Sequence, residues 1–150
     1  MSTPEIDKLT ISEWRGLGFF YERDDAQRTW RIRANRKGIA AFCGILRAYA
    51  RDVDNEPVSQ HEHLGPYGYL KLVTWPTPEI RLDGIYGGRP DFERLAAIVE
   101  KATQGLREPS SVVLNGEYAE NNEARLEIVL ENIDFDPARA DPALDHAQGA

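Results

Sequence analysis

Sulfur is scarce in this chain: Cys43 is the single cysteine among 150 residues, so no internal disulfide can form, and the pattern predicts a reducing, cytoplasmic setting. Long apolar runs are missing too. Charged residues interrupt every hydrophobic segment well short of the ~20 apolar residues that a membrane span needs. The opening MSTPEIDKLT has neither a basic start nor an apolar stretch and predicts no secretion signal. Basic residues are outnumbered, 18 against 25 acidic, for a net charge of −7. Phosphate affinity comes mainly from clustered Lys and Arg, so this balance disfavours nonspecific binding to nucleic acid or anionic lipid. A phosphate cradle is absent as well, because Gly84, Gly87 and Gly88 lack the lysine and the spacing it requires. No nucleophile elbow or paired metal motif occurs, and the residues assign no catalytic group and no cofactor.

What remains is ample apolar material, 41% of the chain, enough for one domain with a real core over residues 1–135. Residues 136–150, rich in Ala, Asp and Pro, predict a loose polar tail. Residues 1–12 read as a polar lead-in with Ile6, Leu9 and Ile11 as a short apolar anchor. Alternation over 17–23 and 29–34 predicts a hairpin across Asp24-Asp25-Ala26-Gln27. The run 28–37, RTWRIRANRK, carries Arg28, Arg31, Arg33, Arg36 and Lys37 with no acid. Arginines interleaved with Trp30 suit base stacking and phosphate binding, but the acidity of the whole favours a solvated hairpin face or arginines paired to carboxylates of the same molecule.

Asn35 is a natural N-cap for a helix reaching about residue 51, whose stripe Ile39, Phe42, Leu46 and Tyr49 should pack on a sheet. Cys43 falls beside that stripe and reads as a small buried hydrophobe. Gly38 and Gly44 each cost this helix roughly 1 kcal/mol relative to Ala, and Gly44 is the one expected to permit close packing. Pro90 opens a second helix over about 91–104, striped by Phe92, Leu95, Val99 and Ala102 and stopped by Gly105. Strands at 110–114 and 123–131 close the chain. The order ββαββαββ predicts an α+β fold, an antiparallel or mixed sheet of about six strands with two helices on one face, and a weak repeat of two strands plus a helix. The opposite face is then partly open to a partner.

Residues 61–86, HEHLGPYGYLKLVTWPTPEIRLDGIY, concentrate the functional signal. A strand over 68–75, a stop at Trp75-Pro76-Thr77-Pro78 and an antiparallel return over 79–86 are expected, with Asp83-Gly84 kinking the return or closing a turn. His61 and His63 would point to one side of an extension of the first strand, with Glu62 on the other. Two such imidazoles could ligate a metal, but a site generally needs three convergent protein ligands; His146 lies in the expected tail. Either histidine could also exchange protons with Tyr67, Tyr69 or Glu62.

The segments WRGLGFF at 14–20, ANRKGIAAF at 34–42, and GPYGYLKLVTW, PEI and DGIYG followed by DFERLAAIVE resemble small bacterial immunity-type proteins that accompany polymorphic toxins, over about residues 10–131. The resemblance implies a single-domain, non-enzymatic inhibitor that binds a cognate toxin, possessing no catalytic residues to carry over. Taken with the residues, the leading expectation is a protein-binding domain that masks a basic partner, with His61, His63, Tyr67, Tyr69, Trp75 and Tyr86 as anchors and Glu62 and Asp83 as charged contacts. The alternatives are a metal-assisted hydrolase centred on His61 and His63, and a homodimer joined through exposed strands.

Overall fold

The computed structural model describes residues 3–114 and 116–144. Its elements are α1 (Pro4–Leu17), β1 (Phe20–Asp24), β2 (Thr29–Ala34), α2 (Arg36–Arg51), β3 (His61–Leu64), β4 (Leu70–Thr74), β5 (Glu79–Arg81), β6 (Gly84–Gly87), α3 (Arg89–Gln104), β7 (Ser110–Leu114) and β8 (Arg125–Leu130). Among the described residues the fold is α+β, with three α-helices and eight strands in two mixed sheets in place of one sheet of about six.

The strands are ordered β1-β2-β8-β7 in one sheet and β3-β4-β6-β5 in the other. Each sheet has a parallel central pair, β2 with β8 and β4 with β6, flanked on both sides by antiparallel hairpin partners. In each, one central strand runs directly into a helix, β2 into α2 and β6 into α3. The repeat is therefore four strands plus a helix, and one copy is assembled from both ends of the chain.

The expected return strand 79–86 is two strands, β5 and β6, turning at Leu82-Asp83. β6 lies parallel to β4, and β5 pairs with β6 alone. Gly84 makes this possible: its φ is +158°, and a Cβ there would run into the Lys71 carbonyl.

α2 and α3 pack on each other. Asn35 caps α2 by accepting from the Gly38 amide at 2.9 Å, and Asp91 reaches back to the Gly88 amide at 2.8 Å to cap α3. Phe42, Leu46, Phe92, Leu95, Ala96 and Val99 are fully buried between the helices and the sheets. Tyr49 and Phe92 meet edge-on at 4.8 Å, and the Cys43 thiol faces the Ala96 carbonyl at 3.6 Å. Burial pushes the Cys43 pKa up to about 11, which fits an inert core thiol.

α1 replaces the expected polar lead-in and takes up the start of the strand expected at 17. Thr3 accepts from the Ile6 amide, Pro4 supplies a preset φ, and Glu5 and Asp7 sit in the positively polarised first turn. The helix turns Trp14 inward, 1% exposed, while Ile6 and Leu9, expected as an anchor, stay exposed. The first part of the segment expected to be a loose tail is docked: Ala138, Asp141 and Leu144 are buried, and Arg15 pairs with Asp136 at 2.8 Å. Residues 145–150, which include His146, lie outside the described residues.

Candidate functional site

Where β1 passes the junction of β3 and β4, the two sheets leave a recess of about 520 Å³. Trp14, Phe20, Tyr21 and Trp30 form its apolar wall, and His63, Tyr67, Tyr69, Lys71, Asp83, Glu22 and Arg23 surround its mouth. Bonds between the sheets hold this geometry. The Trp30 indole donates to the Arg81 carbonyl at 2.9 Å, and Arg23 donates to the Leu82 carbonyl at 2.6 Å. The Tyr21 hydroxyl lies 2.7 Å from the Leu64 carbonyl and 2.6 Å from that of Pro66, and accepts from the Tyr69 amide at 3.3 Å. Its single proton serves one carbonyl at a time.

Tyr67 and Tyr69 stand at the lip, 50% and 67% exposed, with ring centroids 5.8 Å apart. Tyr67 sits at φ +69°, a left-handed conformation that a bulky residue adopts only when its surroundings enforce it. Its hydroxyl donates to Asp141 at 2.6 Å, and its ring meets Trp14 edge-on at 6.2 Å. The same Asp141 oxygen accepts the Trp14 indole N–H at 2.9 Å. Burial, then the Asp141 carboxylate, push the Tyr67 hydroxyl well above the ordinary tyrosine range. It is a fixed neutral donor at ordinary pH.

His61 and His63 do share one side of β3, with rings 5.3 Å apart. The Nδ1 of His61 faces the Ser59 carbonyl at 3.1 Å and that of His63 faces the Gly68 carbonyl at 2.8 Å. A carbonyl only accepts, so both Nδ1 atoms carry the proton and Nε2 is the nitrogen offered outward. Among the described residues no group of three His, Cys, Asp or Glu side chains is placed to hold a metal ion. His63 lines the recess; His61 and Glu62 are exposed on the same strand outside its lining.

Asp83 ties the recess to the next cluster. Its carboxylate accepts from Tyr86 at 2.7 Å and pairs with Lys71 at 3.0 Å. Burial alone would raise its pKa, but Tyr86 and Lys71 together hold it below the ordinary value. Trp75 and Tyr86, expected as partner-binding anchors, lie outside the recess lining; their rings meet edge-on at 5.8 Å, and the Arg81 guanidinium lies 4.9 and 4.2 Å from them. Tyr86 is only 7% exposed, so it supports the sheet face from within.

The residues missed from sequence are Trp14, Phe20, Tyr21, Glu22, Arg23, Trp30, Lys71 and Asp141. The Thr3-Pro4-Glu5 start of a helix was a usable signal for Trp14. Asp141 had none, since only the docked C-terminal segment brings it to Tyr67. Within the basic run, Arg31 and Arg33 are paired to carboxylates of the same molecule, as the acidity of the whole favours. Trp30 is 1% exposed on the core side, while Arg31 pairs with Asp24 at 3.1 Å and Glu127 at 2.7 Å, and Arg33 with Glu22 at 3.3 Å and Glu131 at 3.0 Å.

Compared with protein families, curated proteins and solved structures, the chain finds no match.

Proposed function

We propose that this chain is a protein-binding domain of the immunity type, acting in the cytoplasm to mask a basic partner such as a toxin domain. The observation that carries the reading is the exposed pair Tyr67 and Tyr69 beside an apolar recess, with Tyr67 clamped by Asp141 and by a left-handed backbone. Large aromatic surface held rigid before binding loses little conformational entropy on contact, and such residues dominate interface energetics. Strain of this kind, about 1–3 kcal/mol, persists where surrounding structure enforces it and clusters at ligand clamps. His63, Lys71, Asp83 and Arg23 around the mouth supply polar contacts, and the net charge of −7 favours a partner of opposite sign. The metal-assisted hydrolase reading has two imidazoles and, among the described residues, no third ligand to join them.

Affinity capture at low salt, followed by calorimetry with the purified captured protein, tests this proposal. A basic partner should bind wild type with an affinity that falls as salt rises. Tyr69→Ala should weaken it at least tenfold with the unfolding midpoint unchanged. Equal binding by both proteins would remove the tyrosine lip from the interface.

A further inference from the structure

β3 holds its two imidazoles in an arrangement that the aromatic recess does not require. Both rings are exposed, and each is pinned through its Nδ1–H to a main-chain carbonyl, His61 to Ser59 at 3.1 Å and His63 to Gly68 at 2.8 Å. Both acceptors belong to residues in left-handed backbone, Ser59 at φ +75° and Gly68 at φ +63°. A Cβ on Gly68 would lie 3.2 Å from the His63 Cβ and 3.5 Å from its Nδ1, so glycine leaves the space in which that ring meets its acceptor. A serine at positive φ is uncommon, and backbone of this kind persists where the surroundings enforce it.

We propose that His61 and His63 form a two-imidazole chelate for a borderline divalent cation such as zinc, with water in its remaining positions. The directions of the two rings come first. Ser59 precedes β3, whereas Gly68 lies past its other end, beyond the Leu64–Leu70 pair, so the two Nδ1 atoms are drawn apart along the strand. Nδ1 and Nε2 occupy opposite flanks of an imidazole, and the Nε2 flank of each ring is therefore turned toward the other. Spacing agrees with this. Tetrahedral zinc holds imidazole nitrogen at ~2.0–2.1 Å, which sets the centres of two rings on one ion about 5.2 Å apart. The His61 and His63 ring centres are 5.3 Å apart.

An Nδ1–H bonded to a backbone carbonyl is also the outer contact that fixes the tautomer and orientation of metal-ligating histidines, leaving the Nε2 lone pair for the ion. Among the described residues neither Nε2 has a hydrogen-bond or ion-pair partner. Neutral imidazole selects zinc-like cations over Mg2+ and Ca2+, which take oxygen ligands. Lys71, opposite His63 in the strand register, is balanced by Asp83 at 3.0 Å, which reduces its repulsion of a bound ion. Glu62 points to the other side of the strand, so the protein supplies two ligands and the ion keeps exchangeable positions. This is a weaker and more open site than the three-ligand centre a zinc hydrolase uses.

Zinc alone, titrated into untagged protein and followed by calorimetry and by long-range proton–nitrogen spectra of the imidazoles, tests the assignment. Before zinc is added, both histidines should show the Nδ1–H tautomer. Zinc should then bind once per chain and shift the Nε2 signals of His61 and His63 together, with both Nδ1 protons retained. His61→Ala and His63→Ala should each weaken binding roughly tenfold or more, because losing one imidazole removes the intramolecular second contact. Circular dichroism should be unchanged in both variants. Mg2+ at the same concentration should move neither ring. Zinc held equally well by either variant, a shift confined to one ring, an equal response to Mg2+, or no binding by wild type overturns the proposal. None of these outcomes depends on whether the tyrosine recess binds a partner.

Discussion

Tyr67 and Asp141 lie 74 positions apart in sequence and meet through a 2.6 Å hydrogen bond, at a carboxylate oxygen that also takes the Trp14 indole proton. One side chain from the C-terminal segment therefore positions an exposed ring and satisfies a buried one. Asp141→Ala leaves the Trp14 N–H, in a residue 1% exposed, without its acceptor. The expected loss is about 2–3 kcal/mol, the scale for stranding a buried donor from a charged partner. Urea unfolding measures it, and an unchanged midpoint would mean that the segment is not anchored through Asp141.

Tyr67 should separate stability from binding. Tyr67→Gly relieves the cost of holding a large residue at φ +69° while giving up the ring contact with Trp14 and the bond to Asp141. These terms oppose each other, so folding stability should change by no more than about 1 kcal/mol. Partner affinity should fall at least tenfold. A large loss of stability with affinity intact would make Tyr67 a structural residue.

The two glycines of α2 should respond in opposite directions to the same substitution. A Cβ on Gly38 would collide with the Gly18 carbonyl and lie 2.7 Å from the Ala34 methyl, whereas a Cβ on Gly44 meets nothing within 4 Å. Gly38→Ala should destabilise by roughly 1–3 kcal/mol through overpacking. Gly44→Ala should stabilise by about 1 kcal/mol through helix propensity alone. Thermal unfolding of the pair checks both signs.

Stability should fall at both ends of the pH scale. Arg15 holds Asp136 below its ordinary pKa, Arg81 does so for Glu79, and Arg47 for Glu100. The unfolded chain then takes up these protons first, so their contribution is complete above about pH 4.5 and is lost as pH falls through the lowered folded values. Tyr21, Tyr49, Tyr67, Tyr86 and Tyr118 are shifted the other way, chiefly by burial. Their contribution is complete below about pH 10 and is lost as pH rises through the raised folded values. Denaturation midpoints from pH 3 to 11 should be highest in between; a flat profile would contradict these shifts.

The parts of the fold that sequence exposes are those where one local signal suffices. Asn35 with the Ile39, Phe42 and Leu46 spacing marks α2, and alternation about Ile32 and Ile128 marks β2 and β8. Which strand joins which sheet is a different matter. Asp83-Gly84 suits both a kink and a turn, and the parallel pairing of β4 with β6 rests on a glycine that lets two backbones close up. For the site, His63, Tyr67, Tyr69 and Asp83 were legible as a dense polar and aromatic stretch. Tyr86 was misplaced, since alternation puts it on the right face while Arg81 and Trp75 bury it there. Gly44 was expected to allow the close contact that Gly38 makes, because only packing between α2 and the α1–β1 turn distinguishes them.

The central claim, that a partner docks on the tyrosine lip and its recess, is tested most directly by hydrogen–deuterium exchange of the chain free and in complex with the captured protein. The account predicts new protection at the amides of 61–71, 82–84 and 20–24, the three segments that meet at the recess. Protection confined to 27–28 and 116–122, outside the recess lining, with exchange at 61–71 unchanged, would contradict it.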